Sequence, residues 1–174
     1  MTREQRFEDL MAEVYGPLQR FLRRRTAEAD DVLADTMLVL WRRLDDVPPD
    51  AVLPWSYGVA RGCLQNAGRA DERRWRLLRK LATEPDPPPP DEDPELAEAL
   101  ARLPAPDREV LRLWAWEQLP PREMAVVLGI TPNAASIRLH RATTKLRTAL
   151  LGATGKETRG PGQEPGRQGQ EAPR

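Results

Sequence analysis

Hydrophobic positions recur at intervals of three and four along most of the chain, the spacing of helices that each bury one face. Phe7, Leu10, Met11, Val14, Leu18, Phe21 and Leu22 form a first stripe. Val32, Leu33, Thr36, Met37, Leu40 and Trp41 form a second, which stops where Asp45-Asp46-Val47-Pro48-Pro49 forbids further helix. After Pro54 a third stripe runs through Trp55, Val59 and Cys63, and Leu77, Leu78 and Leu81 suggest a fourth element. The C-terminal half predicts four more helices, marked by Leu96–Leu103, Val110–Trp114, Met124–Leu128 and Ala135–Leu146. Pro104, Pro106, Pro120-Pro121 and Gly129-Ile130-Thr131-Pro132 separate them. No alternating pattern long enough for a strand interrupts this. The expected fold is all-α, two small helical domains on a string.

Composition sets the expected boundaries. The 174 residues carry 27 basic and 27 acidic side chains, but the charges are unevenly spread. Residues 1–80 form a first domain with a charge of plus 2. Residues 81–100 hold seven acids, no Lys or Arg, and the run Pro87-Pro88-Pro89-Pro90, so a stiff, self-repelling linker is expected over 81–95. A second domain over 96–151 follows, the stretch 101–151 carrying plus 4. From Gly152 to Arg174 six glycines and three prolines with almost no apolar residue predict a disordered tail. A lone Cys63 and a lone His140 exclude a disulfide scaffold and a zinc cluster, so no metal and no cofactor are expected. The charged start and the absence of a long apolar run predict a cytoplasmic protein with no membrane insertion.

The sharpest motif lies between Pro121 and Ala142 and has the form of a helix-turn-helix. Ala125 is small where two helices approach closely. Gly129 can take the left-handed conformation that ends the first helix, and Thr131-Pro132 supplies a cap and a preset first turn for the second. On that second helix Ala135, Leu139, Ala142 and Leu146 share the face that should bury. Asn133, Ser136, Ile137, His140, Arg141 and Thr144 share the other, with Arg138, Lys145 and Arg147 flanking it toward phosphates. This wet face contains no acid, as a helix reading the major groove requires. A helical hairpin that never meets DNA shares part of this pattern, and His140 fits a solvated position as well as a base or phosphate contact.

Two further faces stand out in the first half. Asp31 and Asp35 lie one turn apart, with Leu38 and Arg42 continuing the face, which offers carboxylates beside apolar contacts to a basic partner helix. A plain solvated acidic face fits the same residues. From Arg61 to Lys80 seven basic residues, among them Arg61, Arg69, Arg73 and Arg74, stand against Asp71 and Glu72, with Trp55, Tyr57 and Trp75 nearby. Basic charge beside aromatic rings suits single-stranded DNA, which needs phosphate neutralisation and stacking. Trp55 and Trp75 fit equally well as core anchors.

These residues resemble the extracytoplasmic-function sigma factors of bacterial RNA polymerase, members of the sigma-70 family. Leu100-Ala-Arg-Leu-Pro-Ala-Pro-Asp-Arg-Glu-Val-Leu-Arg-Leu113, the helix-turn-helix and Leu139-His-Arg-Ala142 look like the family's region four. Ala29-Asp-Asp-Val-Leu-Ala-Asp-Thr-Met-Leu-Val-Leu-Trp-Arg42 looks like the segment that docks on the polymerase clamp, and Pro54-Trp-Ser-Tyr-Gly-Val-Ala-Arg61 like the promoter-melting segment. The resemblance implies a transcription initiation factor that is not an enzyme. Core RNA polymerase would dock on Asp31, Asp35, Leu38 and Arg42. An upstream promoter element would be read by Asn133, Ser136, Ile137, Arg138, His140, Arg141 and Lys145. A downstream element would be melted by Trp55, Tyr57, Arg61, Gln65, Asn66, Arg69, Arg73 and Arg74, with a flipped base held in a loop within 65–73. An anti-sigma factor is a further partner the family makes plausible. Two departures matter: Gly62 stands where the family commonly has asparagine, and Ala134-Ala135 where it commonly has threonine-valine, so its promoter consensus does not transfer. The rival reading is a free-standing helix-turn-helix regulator that binds duplex DNA without polymerase.

Overall fold

The computed structural model describes residues 1–78 and 93–157, and among them every regular element is helical. Helix α1 spans Arg3–Arg23, α2 Ala29–Arg42, α3 Val52–Leu78, α4 Pro94–Ala101, α5 Ala105–Ala115, α6 Pro121–Leu128 and α7 Pro132–Glu157, with a single 3-10 turn at Leu44–Asp46. The acidic proline run and everything after 157 lie outside the described residues.

Local chemistry sets the helix ends. Thr2 Oγ1 accepts from the Gln5 amide while Gln5 Oε1 accepts from the Thr2 amide, a capping box that satisfies two donors at the start of α1. Asp93 caps α4 by accepting from the Glu95 amide at 3.0 Å, with Pro94 in the first turn, so Asp93 to Glu95 belong to the helical unit rather than to the linker.

The N-terminal stripes bury as expected. Leu10, Val14, Leu18, Phe21 and Leu22 of α1 meet Val32, Leu33 and Leu40 of α2 and Tyr57 and Ala60 of α3. Thr36 and Ser56 are tolerated inside because each hydroxyl donates to the carbonyl four residues earlier, Val32 at 2.7 Å and Val52 at 2.8 Å. In the C-terminal half Leu100, Leu103, Leu111 and Ala142 form a small second cluster joined by Leu139 and Leu146.

Three expectations are corrected. The third stripe and the separate element suggested by Leu77 and Leu78 are one helix, α3, whose 27 residues run through Gly62, Gly68 and the charged stretch 69–74; no loop opens within 65–73. Helix α7 runs past Gly152 to Glu157, so the first six residues of the expected tail are helical backbone. The two units are not separate bodies on a string. Val110, Leu113, Leu119, Met124, Val127 and Ala135 sit in the same core cluster as the N-terminal stripes, and α3 packs along α6.

Candidate nucleic-acid and partner interfaces

The helix-turn-helix forms through the signals expected of it. Gly129 has φ 64° and ψ 38°, the left-handed conformation, and the Ile130 amide donates back to the Ala125 carbonyl at 3.1 Å, closing α6. Thr131 Oγ1 accepts from the Ala134 amide at 3.2 Å and caps α7. Ala135 and Ala142 are fully buried against the domain, with Leu139 and Leu146 half-buried beside them. Asn133, Ser136, Ile137, His140, Arg141 and Lys145 are exposed on the opposite side, and Arg138 is half-buried. Lys145 differs from the expected free phosphate contact. Its Nζ pairs with Asp107 at 2.5 Å, so it ties α7 to the first turn of α5, where the helix dipole also favours the carboxylate.

On α2, Asp31, Asp35, Leu38 and Arg42 all face solvent, Leu38 with 54% of its surface exposed. None of Asp31, Asp35 and Arg42 is in an ion pair among the described residues. The other face of this helix is core, so the arrangement is an acidic ridge with an apolar centre, held rigid from behind.

On α3 the expected residues divide. Tyr57 is a correction: only 4% of it is exposed, its ring stacks on Phe21 at 4.8 Å between centroids, and it has no face to offer a base. Burial pushes its phenol up to about 12, with the Glu117 carboxylate adding to the shift. Trp55 is half-buried, packed against the core with the Arg43 guanidinium 5.0 Å from its ring centroid; Arg43 is in turn held by Asp46 at 2.9 Å. Arg61 is half-buried, while Gln65, Asn66 and Arg69 are exposed, Arg69 donating to Asn66 Oδ1. Arg73 and Arg74 lie on the backbone of the last turns of α3. Cys63 is half-buried nearby, and desolvation raises its thiol pKa, the neighbouring Thr36 hydroxyl offsetting part of the rise.

The sequence reading missed a polar cluster between the two units. Arg25, at the end of α1, places Nη1 3.0 Å from Glu117 and Nη2 3.2 Å from Glu109, and its guanidinium lies 3.6 Å from the Phe21 ring centroid. Arg24 stands 3.7 Å from the second oxygen of Glu117 and lies over Trp116 at 5.7 Å. The partners are 84 and 92 residues apart, so no local spacing could have linked them; the run Arg23-Arg24-Arg25 was the one visible trace.

The fold and its exposed helix define a two-unit helical protein with a DNA-reading module. Residues 94–146 match the family model described as sigma-70, region 4. The chain is 32% identical over 154 residues to the RNA polymerase sigma factor CarQ of Myxococcus xanthus, covering 83% of this chain and 88% of that protein. It is 31% identical to the ECF RNA polymerase sigma factor SigL of Mycobacterium tuberculosis, over 74% of this chain and 78% of that one. Among solved structures, CnrH in complex with the cytosolic domain of CnrY superposes with a TM-score of 0.57 at 27% identity, covering 84% of this chain and 88% of that one. The sigma factor RpoE of Bartonella quintana, solved with the anti-sigma factor NepR, shares the fold with a TM-score of 0.64 at 19% identity, over 83% and 96% of the chains. The chain belongs to the extracytoplasmic-function sigma factors of bacterial RNA polymerase.

Proposed function

We propose that this chain binds core RNA polymerase through the α2 ridge and directs it to promoters whose upstream element is read by the exposed face of α7. The observation that carries this is the coexistence, in one chain, of an acid-free helix-turn-helix face and a rigid acidic ridge built for a basic partner. On α3, Trp55, Arg61, Gln65, Asn66 and Arg69 supply the cations and the ring that a melted strand requires, with Arg73 and Arg74 continuing the basic run. Tyr57 supports that helix from behind. The factor carries out no reaction of its own and acts in the cytoplasm beside the polymerase. No helix among the described residues is long and apolar enough to cross a membrane. An anti-sigma factor, as the solved complex of RpoE contains, is a natural partner for this chain as well.

The test is co-purification with bacterial core polymerase, using the full chain and its Asp31→Arg/Asp35→Arg variant. Both positions are exposed, so the reversal leaves the core intact. Binding by the parent, lost on reversal, is the expected result. Duplex binding by a parent chain that does not retain polymerase would establish the free-standing regulator instead.

A further inference from the structure

The basic residues that flank the reading face of α7 are not held alike. Arg138, Arg141 and Arg147 stand in no ion pair among the described residues, whereas Lys145 Nζ lies 2.5 Å from Asp107 Oδ2. The carboxylate is the fixed half of this pair: its side chain is 12% exposed, against 52% for Lys145. Asp107 lies in the first turn of α5, where the helix dipole favours a negative charge. The next residue, Arg108, donates from Nη2 to the Ala101 and Leu103 carbonyls at 3.2 Å and 3.1 Å, which ties this turn to the end of α4. Close by, Leu111 of α5 and Ala142 of α7 are buried in one cluster with Leu146 against them. Lys145 is thus drawn to a carboxylate that packing holds in place. Moving it to a phosphate would strand that carboxylate away from water, a penalty that a solvated phosphate contact has to overcome.

We propose that Asp107 is a positioning residue for promoter selection: by holding Lys145 it fixes α7 against α5 and withholds one cation from the phosphates. The inference rests on the assignment of the exposed face of α7 to duplex DNA. Its two effects act in the same direction. Hydrogen bonds to base edges are directional, so a helix free to rotate loses the contacts of Asn133, Ser136, His140 and Arg141 before it loses its attraction to the backbone. A cation kept off the phosphates lowers the sequence-independent affinity that would otherwise hold the chain on the far more numerous wrong sites. Lys145 therefore serves recognition from inside the unit, through the carboxylate it pairs with.

The experiment reads the salt dependence of binding by the full-length chain to two short duplexes, one of random sequence and one enriched from a random pool by the parent chain. Each phosphate contact contributes about 0.9 to the double-logarithmic slope, or about 3.5-fold in affinity between about 50 and about 200 mM salt. Lys145→Gln, which keeps a donor for Asp107, is expected to leave the slope on the random duplex at the parent value. Asp107→Asn, which frees Lys145, is expected to steepen that slope by about 0.9 and to tighten binding to the random duplex at least about threefold at the lowest salt. It should also discriminate the enriched duplex from the random one at least about threefold less. In the double variant Asp107→Asn/Lys145→Gln the slope should return to the parent value, which assigns the gain to the released lysine and not to the lost carboxylate. A fold that is merely loosened lowers affinity at every salt alike and leaves the slope unmoved. Three results overturn the proposal: a Lys145→Gln slope about 0.9 shallower than the parent, which would put Lys145 on a phosphate already; an Asp107→Asn slope equal to the parent; or a gain that survives in the double variant. If Asp107→Asn does not fold, the Lys145→Gln slope still decides whether the lysine is withheld. A parent chain that binds neither duplex at the lowest salt overturns the reading of α7 and this inference with it, whereas the three results above leave the reading of α7 standing.

Discussion

Arg25→Ala removes the one cation shared by two carboxylates of the opposite unit. Arg25 is 5% exposed at its side chain, Glu117 3% and Glu109 17%, so the change strands two carboxylates away from water. Breaking a buried pair by deleting one partner costs about 3–5 kcal/mol, far more than the pair contributes when intact, because the orphaned charge keeps its desolvation penalty. Arg24, 3.7 Å from Glu117 and more exposed, offsets part of this, which places the expected loss near the lower end, about 3 kcal/mol. The chain has an escape: if the units part, both carboxylates regain water. The loss therefore falls on docking before it falls on either unit's own fold. Urea denaturation should show the single transition of the parent split or shift to lower urea, and scattering should show a larger radius before unfolding begins. The triple variant Arg25→Met/Glu109→Gln/Glu117→Gln separates charge from packing. It removes every stranded charge and should recover to within about 1 kcal/mol of the parent. An Arg25→Ala protein with unchanged midpoint and radius, or a triple variant as weak as the single, would refute this account of the cluster.

Two further outcomes test the local chemistry. Gly129→Ala forces a β-carbon into the left-handed turn at φ 64° and should cost about 1–2 kcal/mol in thermal unfolding, with Gly129→Asn losing less, because asparagine tolerates that conformation. Tyr57 binds its proton more tightly when folded, with its phenol pushed up from the ordinary 10 to about 12 by burial. Its contribution to stability is therefore complete below the ordinary value and lost as pH rises through about 12. Urea midpoints measured across the alkaline range should fall for the parent, and fall less for Tyr57→Phe, which keeps the Phe21 stack without the titrating group.

The helix-turn-helix was legible because its signals are local. A left-handed glycine, a threonine cap and small residues at contact positions act within a few residues of where they stand, and Gly129, Thr131, Ala125 and Ala135 all fold as read. The α1 and α2 stripes were legible because each helix buries one continuous face. Helix α3 was not. A single-stripe reading follows Trp55, Val59 and Cys63, but α3 is covered by α1 on the side of Tyr57 and by α6 on the side of Gly58, so its buried residues do not form one stripe. Tyr57 therefore looked available when it is core. Leu77 and Leu78 looked like a separate element, yet helix propensity in the charged run carries α3 through to Leu78.

The docked interface also explains how a chain of zero net charge presents a basic reading face. Residues 101–151 contain four acids; one pairs with a lysine of α7, and the other three are engaged away from that helix. Asp107 holds Lys145, Glu109 and Glu117 hold Arg25 across the interface, and Glu123 lies beside Arg122 on α6. Outside this stretch the acids are spread over several elements, Glu4, Glu8, Asp9 and Glu13 on α1 and Asp30, Asp31 and Asp35 on α2 among them, and Asp31 and Asp35 stand on the ridge where a polymerase and not DNA is the partner proposed. Charge is sorted by surface rather than balanced locally, and this sorting depends on contacts between residues up to 92 positions apart.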